Sequence, residues 1–310
     1  MIKKDIFNHD VKALLKASIE DKVHRFVMAD NMIRGAVVKA TRLVNEMQAN
    51  HELGSIETLV LGQAYIAASL MASGLKGKDR ISIQIKCDGP IGGLDVESNV
   101  FGEVRGFLKH PVISTTTSNE ISGLADLIGE GDLNVTRYLE DAVTPYSGRI
   151  KLKYKTLAQD LAVYYLESEQ IPTGFNLSVF FDNKERVKGA GGIFLQALPG
   201  VSDEQVVMAE ALLENVEPIG EALANGKGAE SLVLEGFEPL SPRFISSSRV
   251  EFFCRCSKDK MANYLSKLPG RDLSDLAQNG PFPVELRCHH CNSAYGFTRE
   301  EIAQFLRSGS

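Results

Sequence analysis

The 310 residues are 44% hydrophobic and 24% charged, with a formal net charge of −6, a profile that fits a folded core with a smaller unit appended and argues against a single small module. The acid excess is local: residues 201–250 hold nine carboxylates against three bases, which equals the whole imbalance. The near-neutral remainder offers no concentrated basic surface, which disfavours nucleic acid as a partner, and five cysteines in a reducing compartment argue against a static disulfide scaffold.

The opening stretch, "MIKKDIFNHDVKALLKAS", alternates charged and apolar residues without a continuous apolar run, so no export signal is expected and the protein is placed in the cytoplasm. "VHRFVMAD" and "RGAVVKA" suggest strands; "TRLVNEMQANHE" and the segment from Ser55 to Leu75 follow as helices. The second helix is the most lipid-like part of the chain. It contains Gln63, starts beside Glu57 and is dense in small residues, so a helix buried in a core is expected rather than a membrane span. Strands are predicted at "RISIQIKCD", "GGLDVES", "EVRGFL", "LNVTRYL" and "GRIKLKYK", with turn signals at Asp88-Gly89-Pro90 and Asn99 to Gly102. Cys87 falls on the first of these, where a buried, inert thiol is expected. Thr156 and Gln159 form a capping box before "DLAVYYLES", and "FNLSVFFD" and "VKGAGGIFLQAL" add two strands. Runs of strands with few helices between them predict an α+β domain of mainly antiparallel sheet over residues 1–200.

The texture changes at Pro199-Gly200. Ser202 and Gln205 make another capping box before "EQVVMAEALLENV", but beyond Pro218 the helical signal weakens and apolar residues mix with many Gly, Pro, Ser and Glu. Residues 201–250 therefore read as a metastable helical linker that leans on its neighbours to fold. The last unit, 251–310, has a helical stretch over Lys258–Leu268, a break at Pro269-Gly270, a short helix at "DLSDLAQ", and a hairpin, "PVELRCHHCNSAYGF", with cysteines at its knuckle. A final helix is capped from Thr298.

Cys254 and Cys256 form a C-x-C pair and Cys288 and Cys291 a C-x-x-C pair. Four thiolates suit a tetrahedral zinc ion, and a unit of about sixty residues is marginal in core size, so metal binding is expected to supply much of its folding energy. Iron in the same cage lacks the C-x-x-C-x-x-C signature. His289 and His290 lie between the second pair, but four thiolates already fill a tetrahedron, so solvent-facing turn positions are expected for both. Spacing leaves both a silent zinc clasp and a redox-active one open. C-x-C closes only a small, strained and therefore labile disulfide ring, and C-x-x-C closes more readily, so each pair can oxidise within itself.

Enzyme motifs are absent: there is no G-x-S-x-G and no H-E-x-x-H, and "GEALANGKGA" ends in Gly where a phosphate-binding loop needs Ser or Thr. The rival readings are a thiol-disulfide oxidoreductase using Cys288 and Cys291 and a structural zinc-module adaptor. A nucleic-acid adaptor lacks its basic stripe, since residues 251–310 hold eight bases and seven acids. Asp160 and the Ser168-Glu169-Gln170 cluster read as helix punctuation rather than an active site.

"FFCRCSKDKMANYLSKL" followed by "CHHCNSAYGFTREEI" resembles the C-terminal redox switch of the heat shock protein 33 family of holdase chaperones, through its C-x-C-S, M-x-x-x-L and C-x-x-C-N-x-x-Y-x-F pattern. "CDGPIGGLDVESN", "GEVRGF", "DLAVYYLESEQIPT" and "GAGGIFLQALPG" are similar to that family's core signatures, so the resemblance covers nearly the whole chain. His290 departs from it, standing where members often carry an aromatic residue. The resemblance implies an ATP-independent holdase, not an enzyme, inactive while Cys254, Cys256, Cys288 and Cys291 hold one Zn2+ per chain. Hydrogen peroxide or hypochlorite would then pair Cys254 with Cys256 and Cys288 with Cys291, zinc would leave, and the linker would unfold to hold unfolding client proteins, commonly as a homodimer. No nucleic acid or membrane partner is implied. Leu232, Val233, Leu234, Phe237, Leu240, Phe244 and Ile245 give the linker apolar surface for clients, and its acids would keep the opened form soluble.

Overall fold

The computed structural model describes residues 1–4, 21–113 and 123–308; the opening stretch beyond Lys4 lies outside the described residues. Two strands, β1 (Lys22–Met28) and β2 (Ile33–Lys39), form a hairpin, and helix α1 (Thr41–His51) follows. Ala40 caps α1 with no side chain of its own; the Asp21 carboxylate accepts the Leu43 N–H at 2.7 Å in its place. Next come helix α2 (Ser55–Ala72), strands β3 (Arg80–Cys87), β4 (Gly93–Asn99) and β5 (Glu103–Leu108), the short helix α3 (Leu124–Ile128), β6 (Gly131–Tyr138) and β7 (Tyr146–Lys151). Helix α4 (Leu157–Tyr164) runs into a π-helical turn at Tyr165–Glu169, followed by β8 (Thr173–Phe181) and β9 (Val187–Ala197).

These strands build an α+β fold of two large, mainly antiparallel sheets, with β10 (Arg243–Arg249) and β11 (Glu251–Phe252) completing them. One sheet has the order β10-β1-β2-β9-β8, the other β11-β5-β4-β3-β6-β7, and among the described residues only the short β11–β5 pair is parallel. Helix α2 packs against strands of both sheets, which explains its sequence: fourteen of its 18 residues are buried, so it is apolar all round. Gly62 lets it close on its neighbours, because an added Cβ would stand 3.0 Å from Val44 and 3.2 Å from Val179. The helix has the length and composition to cross a membrane, yet it is the centre of a protein core.

The outer face of the five-stranded sheet carries a second apolar layer. Helices α5 (Asp203–Asn215), α6 (Ile219–Ala224) and α7 (Ala229–Gly236) cover Phe26, Ile33, Val37, Ile193 and Leu195 with Leu213, Ile219, Leu223, Leu232, Val233 and Phe237. The glycine-rich strand "GAGGIF" earns its composition here, since a Cβ on Gly189 would overlap the Gly220 carbonyl of α6. The Ser202–Gln205 capping box forms as read.

Several expectations need correction. Residues 201–250 are not helical throughout, because Arg243–Arg249 is a strand paired to β1. The Thr156 hydroxyl bonds the Gln159 side chain, not the helix backbone, so the box there is not made. The buried Asp160 instead accepts the Lys153 and Tyr154 N–H groups at 2.8 and 3.0 Å, tying down the turn that leads into α4. Strand β7 starts and ends earlier than "GRIKLKYK". Cys87 is half-buried rather than enclosed, and burial pushes its thiol above the ordinary value.

Candidate metal centre

Strand β11 leads directly to the first cysteine pair. Glu251 and Phe253 donate to the Gly102 and Val104 carbonyls of β5, which sets Cys254 and Cys256 beside the core. Helices α8 (Lys258–Leu265) and α9 (Gly270–Asn279) follow, then the hairpin of β12 (Val284–Arg287) and β13 (Ala294–Phe297), then α10 (Arg299–Ser308). Thr298 and Glu301 exchange the capping-box bonds expected of them. At the knuckle the Cys288 carbonyl accepts the N–H groups of Cys291 and Asn292, and Asn292 adopts a left-handed backbone.

All four sulfurs converge. They are buried and lie within 4.8 Å of one another, with Cys254 and Cys288 at 3.8 Å and Cys256 and Cys291 at 3.4 Å. Zinc–sulfur bonds of about 2.3 Å put tetrahedral ligands about 3.8 Å apart, so the donor set fits that ion. Without a cation the cluster resists full ionisation. Hydrogen bonds from Cys288 and Cys291, with help from the Arg105 guanidinium, hold the Cys254 thiol well below its usual range. Donation to Cys254 pushes the Cys288 thiol up to about 11 and raises Cys291 further. Four thiolates side by side need a divalent cation to neutralise them.

Outside the four ligands the frame is polar and long-range. Tyr295 Oη lies 3.1 Å from Cys256 Sγ, and Ser293 Oγ lies 3.2 Å from Cys291 Sγ. Asn50 of α1 donates to the Cys291 carbonyl at 2.7 Å while Asn292 donates to the Asn50 carbonyl at 2.9 Å. Gly106 of β5 donates to the His290 carbonyl at 3.1 Å and accepts from Tyr65 of α2 at 2.9 Å, joining the knuckle to the central helix. The first residues wedge in beside it: the Met1 amino group donates to the Cys256 carbonyl and Ile2 exchanges bonds with Ser293. His51, on the same seam, is held neutral by burial, which lowers it to about 4.

His289 is exposed, as expected for a turn residue, but His290 is not solvent-facing. Its ring packs on Phe107 at 5.6 Å and its Nδ1 is buried, so burial lowers its basicity. The linker residues divide. Leu232, Val233, Phe237 and Leu240 are buried, Phe244 stands edge-on to Phe26, and Leu234 and Ile245 are exposed. Of the frame, only Tyr295 and Asn292 were visible in advance, through C-N-x-x-Y; Asn50, Tyr65, Arg105 and Gly106 carried no local signal.

Fold and site together define a class: a two-sheet α+β core with a separate four-thiol module docked on its edge. Residues 21–298 match the family described as Hsp33 protein. The chain is 30% identical to the 33 kDa chaperonin of Desulforamulus reducens, over 93% of this chain and 98% of that protein, and 31% identical to that of Limosilactobacillus fermentum, over 92% and 98%. The crystal structure of the 33 kDa chaperonin of Thermotoga maritima superposes with a TM-score of 0.84 at 29% identity, covering 94% of this chain and 99% of that one. The chain therefore belongs to the Hsp33 family, a family of chaperones rather than enzymes.

Proposed function

We propose that this chaperone is a cytoplasmic, ATP-independent holdase switched by oxidation of Cys254, Cys256, Cys288 and Cys291. The observation that carries the reading is a set of four buried thiols within 4.8 Å of one another, placed where the C-terminal module meets the core. Bound zinc would hold these residues as thiolates and fasten the module. Hydrogen peroxide takes two electrons from each pair, yielding a Cys254–Cys256 and a Cys288–Cys291 disulfide with two waters per bond, and disulfide sulfurs are no longer thiolate ligands. The module then loses its main source of folding energy. Residues 201–250, joined to it through β10 and β11, lose their anchor, which frees Leu232, Val233, Leu234, Phe237, Leu240, Phe244 and Ile245 for unfolding clients. A homodimer is the proposed working form. The test is one peroxide titration that follows zinc release, free thiols and suppression of a denatured client's aggregation, then adds dithiothreitol. Loss of four thiols together with zinc, gain of protection and reversal by the reductant are expected. Zinc that stays bound, with protection indifferent to oxidant, would reduce the cluster to a structural clasp.

A further inference from the structure

Away from the cysteines, a cavity of about 210 Å³ opens between the sheets beyond the C-terminal end of α2. Arg25, Arg34 and Arg137 line it together with Tyr165, Phe194 and Met71. Strand register explains the convergence. Arg25 faces Ala36 across the β1–β2 pair and Arg34 lies two residues from Ala36, so both project from one sheet face as diagonal neighbours, about 7–8 Å apart. Arg137 comes from the opposite sheet, its guanidinium 5.8 Å from the Tyr165 ring, and the Tyr165 phenol lies in the positive field of both Arg137 and Arg34.

The partners of these arginines are unusual. Arg25 donates to the Ser73 carbonyl and to the hydroxyls of Ser246 and Ser248 on β10, while Arg34 donates from Nε and Nη2 to the Gln196 side-chain oxygen. Neither meets a carboxylate among the described residues, and burial pushes the Arg25 guanidinium below its ordinary value. Arg137 does pair with Glu169 at 3.1 Å, but its Nε is buried without a partner. Neutral groups therefore hold Arg25 and the exposed Arg34 in place with no carboxylate partner among the described residues, beside aromatic walls, while Glu169 offsets the charge of Arg137. The positive charge gathered in the cavity attracts the oxygens of a carboxylate or phosphate, and apolar walls take the body that carries them.

We propose that this cavity binds a small organic anion, a carboxylate or phosphomonoester head on an apolar or aromatic body. Arg34 and Arg137 grip the head, and Tyr165 and Phe194 flank the body. Because Arg25 also holds Ser246 and Ser248, an occupied cavity would sit against the attachment of β10 to its sheet.

Isothermal titration calorimetry on the full-length, reduced, zinc-loaded protein tests this with phenyl phosphate and phenylacetate, and with benzyl alcohol as the uncharged counterpart. At least one anion should bind saturably, one per chain, and the anion that does identifies the head. Arg34→Gln should weaken it tenfold or more, with Arg34→Lys intermediate, since lysine keeps the charge and loses the fork. Gly74→Leu supplies a second variant: Gly74 lines the cavity and an added Cβ there meets no atom within 4 Å, so the fold has room for a side chain at the cavity rim. It too should weaken binding at least tenfold. The proposal fails if neither anion saturates at millimolar concentration, if benzyl alcohol binds equally well, or if binding survives both Arg34→Gln and Gly74→Leu.

Discussion

The five-stranded sheet is covered twice, and the two covers differ in kind. On one face lies α2, apolar around its circumference and enclosed by the second sheet, so nothing can move it without opening the core. On the other lie α5 to α7, of which α5 buries only Ala209 and Leu213 and shows its acidic side to water. Both layers are apolar where they touch the sheet. They differ in what stands behind them: a second sheet in one case, solvent in the other. A layer with solvent behind it can detach as a unit while the rest stays folded.

The largest test of this contrast is at the sulfurs. Cys288→Ser should weaken zinc binding by more than the roughly 10–100-fold typical of losing an outer partner, as read by competition with a chromogenic chelator. Hydrogen exchange should then rise in the C-terminal module and in residues 203–249 but not in α2. Cys87→Ser, remote from the cluster, should change neither. Equal loss of peroxide response in both variants would break the assignment of roles.

Phe237→Ala empties a fully buried position in the outer layer and should cost about 3–5 kcal/mol. Leu61→Ala does the same within α2 and should cost about 2–5 kcal/mol. The first should raise exchange in α5 to α7 alone, whereas the second should lower the cooperative melting of the whole core; identical exchange patterns would erase the distinction. Gly189→Ala, driving a Cβ into the Gly220 carbonyl, should destabilise the outer layer by about 1–3 kcal/mol.

A pH effect belongs to the inner side. Burial raises Asp21 from 3.8 to about 7, so between those values the folded state binds a proton that the unfolded state has released. Stability from this group is therefore present at low pH and lost as pH rises towards 7, with a slope of at most about 1.4 kcal/mol per unit. Asp21→Asn keeps an acceptor for Leu43 and should flatten that slope relative to the parent in denaturant titrations at stepped pH. The smallest effect is expected from Arg255→Ala, which cuts an exposed ion pair to Glu103 and should show only at low ionic strength.

Much of this was written locally. Alternation marked the strands of both sheets, the small-residue helix declared its burial, and the cysteine spacings named the site. Strand β10 carries no strand signal of its own, because "RFISSSR" has no apolar alternation: Ser246 and Ser248 are matched to Arg25 on the neighbouring strand, not to a core. The burial of His290 has no local signal either, since its ring contact, Phe107, belongs to a strand distant in sequence. The frame of the sulfur cluster joins Asn50 to Cys291 and Gly106 to His290, pairings that no window of sequence contains.

One feature of the seam reaches beyond metal binding. Among the described residues, strand β5 is bordered on its outer side by the two residues of β11 and by the cysteine knuckle, which together occupy the Gly102 and Val104 carbonyls and the Gly106 N–H. Without them the remaining five strands of that sheet would end at β5 in a row of open backbone groups, a template for an extended chain regardless of its side chains. The module thus covers a sheet edge as well as housing the four sulfurs.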